Sequence, residues 1–440
     1  MGSFRYSWRM FNGPSPGRSA LALLLSAAAL GVTGAATPAA AAAPAVRAEL
    51  LPIPAAGPDR QLSVRAVDVS PLGVVVGNVL ETVTAPDGTT SYTQLPQRWA
   101  RIPRAGWLRQ PLALPRGATS GSAQGLTDLG EAAGSVSLGS SRAVRWSLDG
   151  RSTTVLSDSP SGVTAVGPNG PWGVSTFNPQ IPIQGDAELV TRDNTRTPLR
   201  GTPDLDTGTS RSVGSVGGPD TAIVWVGEGF GQGRTSRPVL WQAGASLRFP
   251  VISSYFLGAA CVSQVQADGS VVYSGYLSDN GRVAFALFRH VGGVPGTDVT
   301  LSRAAGPGAP YGALDCSPGV HADVLAPDGG VAGYLTEANV RTAAYWDAAN
   351  TLTVVPREAG EKSTSGVAVA GGGRMAILAR HEDGTSRVSL WDDGVRTRLS
   401  TPRGWNVISV VELTEAGLLV ANAENAAGVV RPVAWNLAGV

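Results

Sequence analysis

Residues 431–440 read RPVAWNLAGV, an apolar run with Trp435 just past its middle, followed by the turn-like NLAG. Five other stretches share that context of apolar residues, Trp and a turn: PQRWAR at Trp99, AVRWSLDG at Trp146, PVLWQAG at Trp241, AAYWDAAN at Trp346 and VSLWDDG at Trp391. Successive Trp residues lie 47, 95, 105, 45 and 44 positions apart. The two long gaps are about twice the short ones, and each holds one degenerate copy: AELVTRDN around Val190, and AFALFRHVG with Phe288 in the Trp place. That makes eight copies of one unit.

Each copy is preceded by an apolar strand, a Gly turn and a second apolar strand, as in VRAVDVSPLGVVVGNV and HADVLAPDGGVAGYL. After every Trp element except the last comes a fourth short strand, such as QPLALP, TTVLSD or LTVVPR. Four short strands in a period of about 45 residues, separated by Gly, Asp and Pro turns, are the pattern of a β-propeller blade. No window sustains a 3.6-residue periodicity, so almost no helix is expected. The expected fold is an all-β propeller of eight four-stranded blades, with seven as the alternative. A blade cannot bury its two apolar faces alone, so the Trp series is read as core between blades.

The last copy lacks its fourth strand, and the sequence before the first copy offers one. RAELLPIPAAGPDRQLSVRAVDVS, residues 47–70, matches QPLALPRGATSGSAQGLTDLG in character and in its distance to the next Gly turn. AELLPIP is therefore predicted to pair onto the last blade and close the ring, which removes the exposed edge.

GVVVGNV with QRWAR, and GGVAGYL with AAYW, resemble the units of secreted bacterial HAF-repeat proteins: an apolar strand, a Gly turn, VVG, a loop and an aromatic-ended strand. The likeness covers about residues 48–440. It implies an extracellular propeller and brings no catalytic residues with it.

The 440 residues carry a formal net charge of +1, with 15% charged residues, 57 Gly and 31 Pro. This is a loop-rich globular composition, and its near-neutral charge offers no footprint for nucleic acid or anionic membrane. Arg5, Arg9 and Arg18 precede and flank a short apolar core, ALALLLSAAALGV at residues 20–32, and an Ala-rich stretch follows. Residues 1–42 read as a signal peptide cleaved after Ala42, leaving residues 43–440 as a single propeller domain. The apolar core is short for a membrane span of about 20 residues, so a secreted, extracellular monomer without a stable membrane anchor is expected.

Cys261 and Cys316 occupy matching connectors of consecutive copies, which in an exported chain predicts a disulfide. His290, His321 and His381 fall in different copies, and neither a metal site nor a triad is suggested. Asp204 and Asp206 in PDLDTG depart from a calcium loop and read as an ordinary turn. Asp68, Asp128, Asp323 and Glu412 lie near first strands but share no single register as a set. Catalytic residues, metal and cofactor are accordingly expected to be none.

Long connectors on a rigid scaffold are where function concentrates. Those entering the first strands and joining the second to the third offer Tyr92, Phe230, Arg234, Tyr311, Arg403 and Trp405, suited to stacking on sugars or gripping a partner protein. The sequence reading is a binding module for a protein or an extracellular glycan, with an extracellular glycoside hydrolase or lyase as the alternative.

Overall fold

The computed structural model describes residues 46–57, 59–102, 105–177, 185–206, 210–228, 235–249, 261–279, 282–292, 297–304, 309–315 and 324–438. They form eight antiparallel four-stranded sheets, seven of which follow chain order. Blade 1 holds β2 (Arg60–Val69), β3 (Val74–Thr84), β4 (Thr90–Ile102) and β5 (Gly106–Pro111). The eighth is discontinuous in sequence: β30 (Trp405–Leu413), β31 (Leu418–Asn425) and β32 (Val430–Asn436) are completed by β1 (Ala48–Leu50). The predicted closure is thus present, with Ala48, Glu49 and Leu50 opposite Trp435, Ala434 and Val433. Helix is confined to Pro203–Asp206 and a single 3-10 turn, Gly371–Gly373, among the described residues.

The turn between first and second strands needs a left-handed residue, and Gly73 (φ 75) and Gly417 (φ 81) supply it in blades 1 and 8. The second Gly of VVVG has a different cause. A β-bulge after Ala66 brings the inner strand so close that a Cβ on Gly77 would lie 2.1 Å from the Arg65 carbonyl oxygen. Gly134 in blade 2 would meet Ser122 in the same way, at 1.9 Å.

The described core divides into eight apolar clusters, one at each junction between adjacent blades. Trp99, Trp146, Trp346 and Trp435 are fully buried there, with Trp241 and Trp391 nearly so. Where the Trp is missing, the facing strand supplies the bulk: Val190 lies opposite the buried Trp172, and Phe288 opposite Tyr273. The wedge between blades is filled from whichever strand carries the ring, which is why the sequence period looks degenerate there.

Three indoles also reach the preceding blade. Trp146 Nε1 donates to the Ala113 carbonyl, Trp435 to Ser400 and Trp99 to Pro52, each at 2.7 Å. The acceptor in each case follows the fourth strand of the neighbour, so the N-terminal segment performs the full role of a fourth strand. Leu51 repeats the buried positions of Leu112 and Leu399.

Candidate functional site

In an antiparallel blade the turns between strands one and two lie at the opposite end from those between strands two and three. The molecule therefore presents two ends, and their charges differ.

At the first end the inner strands converge on an axial cavity of about 500 Å³, whose walls include Asp68, Asp128, Asp268, Glu412 and Glu415 and no basic side chain. Asp68 and Glu412 occupy one register, two residues before the turns opened by Ser70 and Thr414. The set of four acids considered from sequence does not align, but this pair within it does. The pair caps backbone: Asp68 Oδ2 accepts the Leu126 N–H of blade 2 at 2.6 Å, and Glu412 Oε2 accepts the Val69 N–H of blade 1 at 3.2 Å. Each carboxyl group thus captures the amide of the next blade.

Doing so leaves the two carboxyl groups hydrogen-bonded to each other, which requires a proton between them. Burial pushes Asp68 up to about 6, against the opposing pull of the Leu126 and Val69 amides, and Asp128 adds repulsion. Asp128 is itself raised by burial. Among the described residues no group of His, Cys, Asp or Glu is arranged to hold a metal ion.

At the other end lies a groove of about 420 Å³ between blades 7 and 8, and it gathers two of the residues named from sequence, Arg403 and Trp405, with His381 and Arg387. Arg403 is exposed on the turn before β30, and Trp405, half-buried, is the first residue of that strand. The Arg431 guanidinium sits 5.8 Å from the Trp405 ring centre. One wall is anchored by Arg396, which grips the buried Glu361 with both nitrogens, at 3.0 and 2.6 Å. Arg398 also lines the groove, so the lining is net basic even though the chain is near neutral.

The remaining candidates behave differently. Tyr92 is 68% exposed, yet its segment is no loop: β3 and β4 extend through Thr84 and Thr90, placing Tyr92 opposite Thr82 on a projecting hairpin. Alternating Thr and Val with a tight Asp-Gly turn carry the ladder outward, a strand signal read as a loop from sequence. Tyr311 is half-buried and packs on Phe285 with ring centres 4.8 Å apart, away from the groove of Trp405. Phe230, Arg234, Cys316, His321 and Asp323 lie outside the described residues, while Cys261 is buried at the start of a strand in blade 5. Asp206 caps the Gly201 amide and Asp204 meets Ser246, as an ordinary acidic turn would.

Sequence reasoning missed Asn78 and Asn422. Asn422 accepts from the Ala66 amide at 2.8 Å and donates to its carbonyl at 3.0 Å, and Asn78 does the same to Ala123 at 2.7 and 2.9 Å. The signal was available, since both lie five residues after the turn glycines Gly73 and Gly417.

No family model matches the chain, and no curated protein does either. Among solved structures, a puromycin hydrolase is similar at 16% identity and TM-score 0.41, over 67% of this chain and 50% of its own, so the present chain spans half of it. A putative TolB from Agrobacterium tumefaciens is similar at 15% identity and TM-score 0.34, over 55% and 81% of the two chains. A virginiamycin B lyase from Staphylococcus aureus is similar at 11% identity and TM-score 0.33, over 72% and 95%. These likenesses carry no argument about activity.

Proposed function

We propose that this protein is a secreted binding module that docks an extracellular glycan in the groove between blades 7 and 8. The observation that supports it is the convergence of Trp405, Arg403 and Arg387 in one open groove. An indole gives a flat apolar surface for a sugar ring, and guanidinium groups give directed donors for its oxygens. The same face is the one on which the connectors vary, as in other propellers and scaffold-borne sites.

The hydrolase reading fits less well. Glycosidases hold their two carboxyl groups roughly 5 to 9.5 Å apart around the bond they cleave. Asp68 and Glu412 instead touch, and both are committed to backbone amides.

A glycan array and a pull-down with the exported protein test the proposal, with Trp405→Ala and Arg403→Ala as controls. Loss of glycan binding in both variants supports it, and full retention overturns it. Secretion and the Cys261–Cys316 pairing are part of the same proposal. Thiol titration of protein collected from the medium, denatured and unreduced, should find no free thiol, and two per chain would refute the pairing.

A further inference from the structure

A second cleft opens on the other side of blade 7, against blades 5 and 6, with a volume of about 620 Å³. β27 (Arg374–His381) borders both spaces: Ala379 and His381 line the groove of Trp405, while Leu378 and Arg380 line this one.

Three cations line it: Arg341, Lys362 and Arg380. Arg341 lies over the Tyr334 ring at 4.4 Å and approaches Asp315 at 3.8 Å, so it is held in place. Lys362 and Arg380 are exposed and have no ion-pair partner among the described residues. The wall also contains the Ser274 hydroxyl, fully buried and without a hydrogen-bond partner among the described residues. A buried hydroxyl left unpaired is costly, and such groups are rare unless something else completes them. Two unpaired cations and one unpaired donor facing the same space leave the cleft short of negative charge and of an acceptor. Its volume lies in the range of small-molecule sites.

We propose that this cleft binds the acidic group, carboxylate or sulfate ester, of an anionic sugar residue. The inference rests on the glycan reading above and deepens it: the ligand of this face is an acidic oligosaccharide, with its ring on Trp405 or its neighbours and an acid group recognised beside blade 7. Arg341 and Arg380 supply directed donors, Lys362 supplies a point charge, and Ser274 donates to an oxygen of the acid or of the ring.

Lys362 is the single lysine of the chain, which makes its amine a specific reporter. The experiment measures acetylation of Lys362 by mass spectrometry on the full protein, with galacturonate hexamer, a sulfated hexasaccharide, a neutral hexasaccharide, free galacturonate and inorganic sulfate as probes. One or both acidic hexasaccharides should slow labelling at least fivefold, and which of them does so tells carboxylate from sulfate. The neutral one should not.

Ser274→Ala and Arg380→Ala should each weaken acidic binding about tenfold, as loss of a charge-assisted hydrogen bond does. The melting temperature of Ser274→Ala should stay level or rise, since an unpaired hydroxyl is removed. Equal protection by the neutral chain, or unchanged affinity in Ser274→Ala, overturns the inference. Two outcomes separate it from the reading it rests on. If neutral chains bind through Trp405 while no anion protects Lys362, the acid site falls and the glycan module stands. If sulfate or galacturonate protects Lys362 while no oligosaccharide binds, the anion site stands and the glycan module falls.

Discussion

At the junction of blades 1 and 2, Asn78 clamps Ala123, Trp146 donates to Ala113 and Asp68 captures the Leu126 amide. At the junction of blades 8 and 1, Asn422 clamps Ala66, Trp99 donates to Pro52 and Glu412 captures the Val69 amide. The first junction lies within a continuous stretch of chain, and the second is made by segments from its two ends. The parts are nonetheless the same, so closure depends on repeating the ordinary contacts and not on a special lock. One difference remains. Blade 2 places Gly125 where blades 1 and 8 place Asp68 and Glu412, and a Cβ there would lie 3.1 Å from Asp68 Oδ2. Of these two junctions, the seam is the one that sets Glu412 against Asp68, and this pair gives it a response to pH.

The comparison is broken most severely by removing residues 47–54. That strips β1, uncovers the edge of β32 and leaves Trp99 without its acceptor. The melting temperature should fall by many degrees, or the protein should fail to fold. An unchanged melting temperature would refute the equivalence of this strand with the other fourth strands.

Asn422→Ala and Asn78→Ala compare the two junctions directly. Each variant leaves an inner-strand amide and carbonyl unpaired, at about 2 kcal/mol on the scale of lost buried hydrogen bonds. Similar losses in denaturant unfolding are expected, somewhat larger for the more buried Asn422. If Asn422→Ala were silent while Asn78→Ala was not, the seam would be held by something else.

How much of this was legible beforehand depended on whether the signal was local. Strands, turns and Trp positions follow local spacing, and the closing strand could be recognised because AELLPIP resembles its counterparts. The positions of Asn422 and Glu412 relative to their turns could be read locally, but what they bind could not. Their partners, Ala66 and Val69, are 356 and 343 residues away, and only the ring geometry brings them together. The basic groove was hidden by averaging, since a formal charge of +1 over 440 residues conceals separate acidic and basic ends.

The seam pair yields a smaller, pH-dependent effect. Asp68 is raised in the folded protein, from 3.8 to about 6. A raised carboxyl contributes stability that is complete below the unfolded value and is lost as pH rises through the folded one. Melting temperature should therefore be higher at pH 5 than at pH 7.5. Glu412→Gln supplies a permanent donor to Asp68, where the glutamic acid donates only while it is protonated. It should flatten that dependence and stabilise the protein at pH 7.5. An equally steep pH dependence in the variant would show that the pair is not its source.

The smallest effect on stability belongs to Trp405→Ala, at a half-buried ring on the rim of the groove. Its melting temperature should stay within a few degrees of wild type, whereas Trp146→Ala should cost about 3 to 5 kcal/mol by opening a cavity. Equal destabilisation would make Trp405 a core residue.

The closing strand also sets a clock. Arg431 and the Leu51 carbonyl it binds are separated by 380 residues, so β1 is made first and used last. At synthesis rates of about 5 to 20 residues per second, that is a wait of roughly 20 to 80 s. Throughout it, Leu62, Val64 and Val75, which face blade 8 in the finished ring, have no partner to cover them. The nascent chain is then an open arc with a sticky leading edge, vulnerable to pairing with a second copy until its own tail arrives.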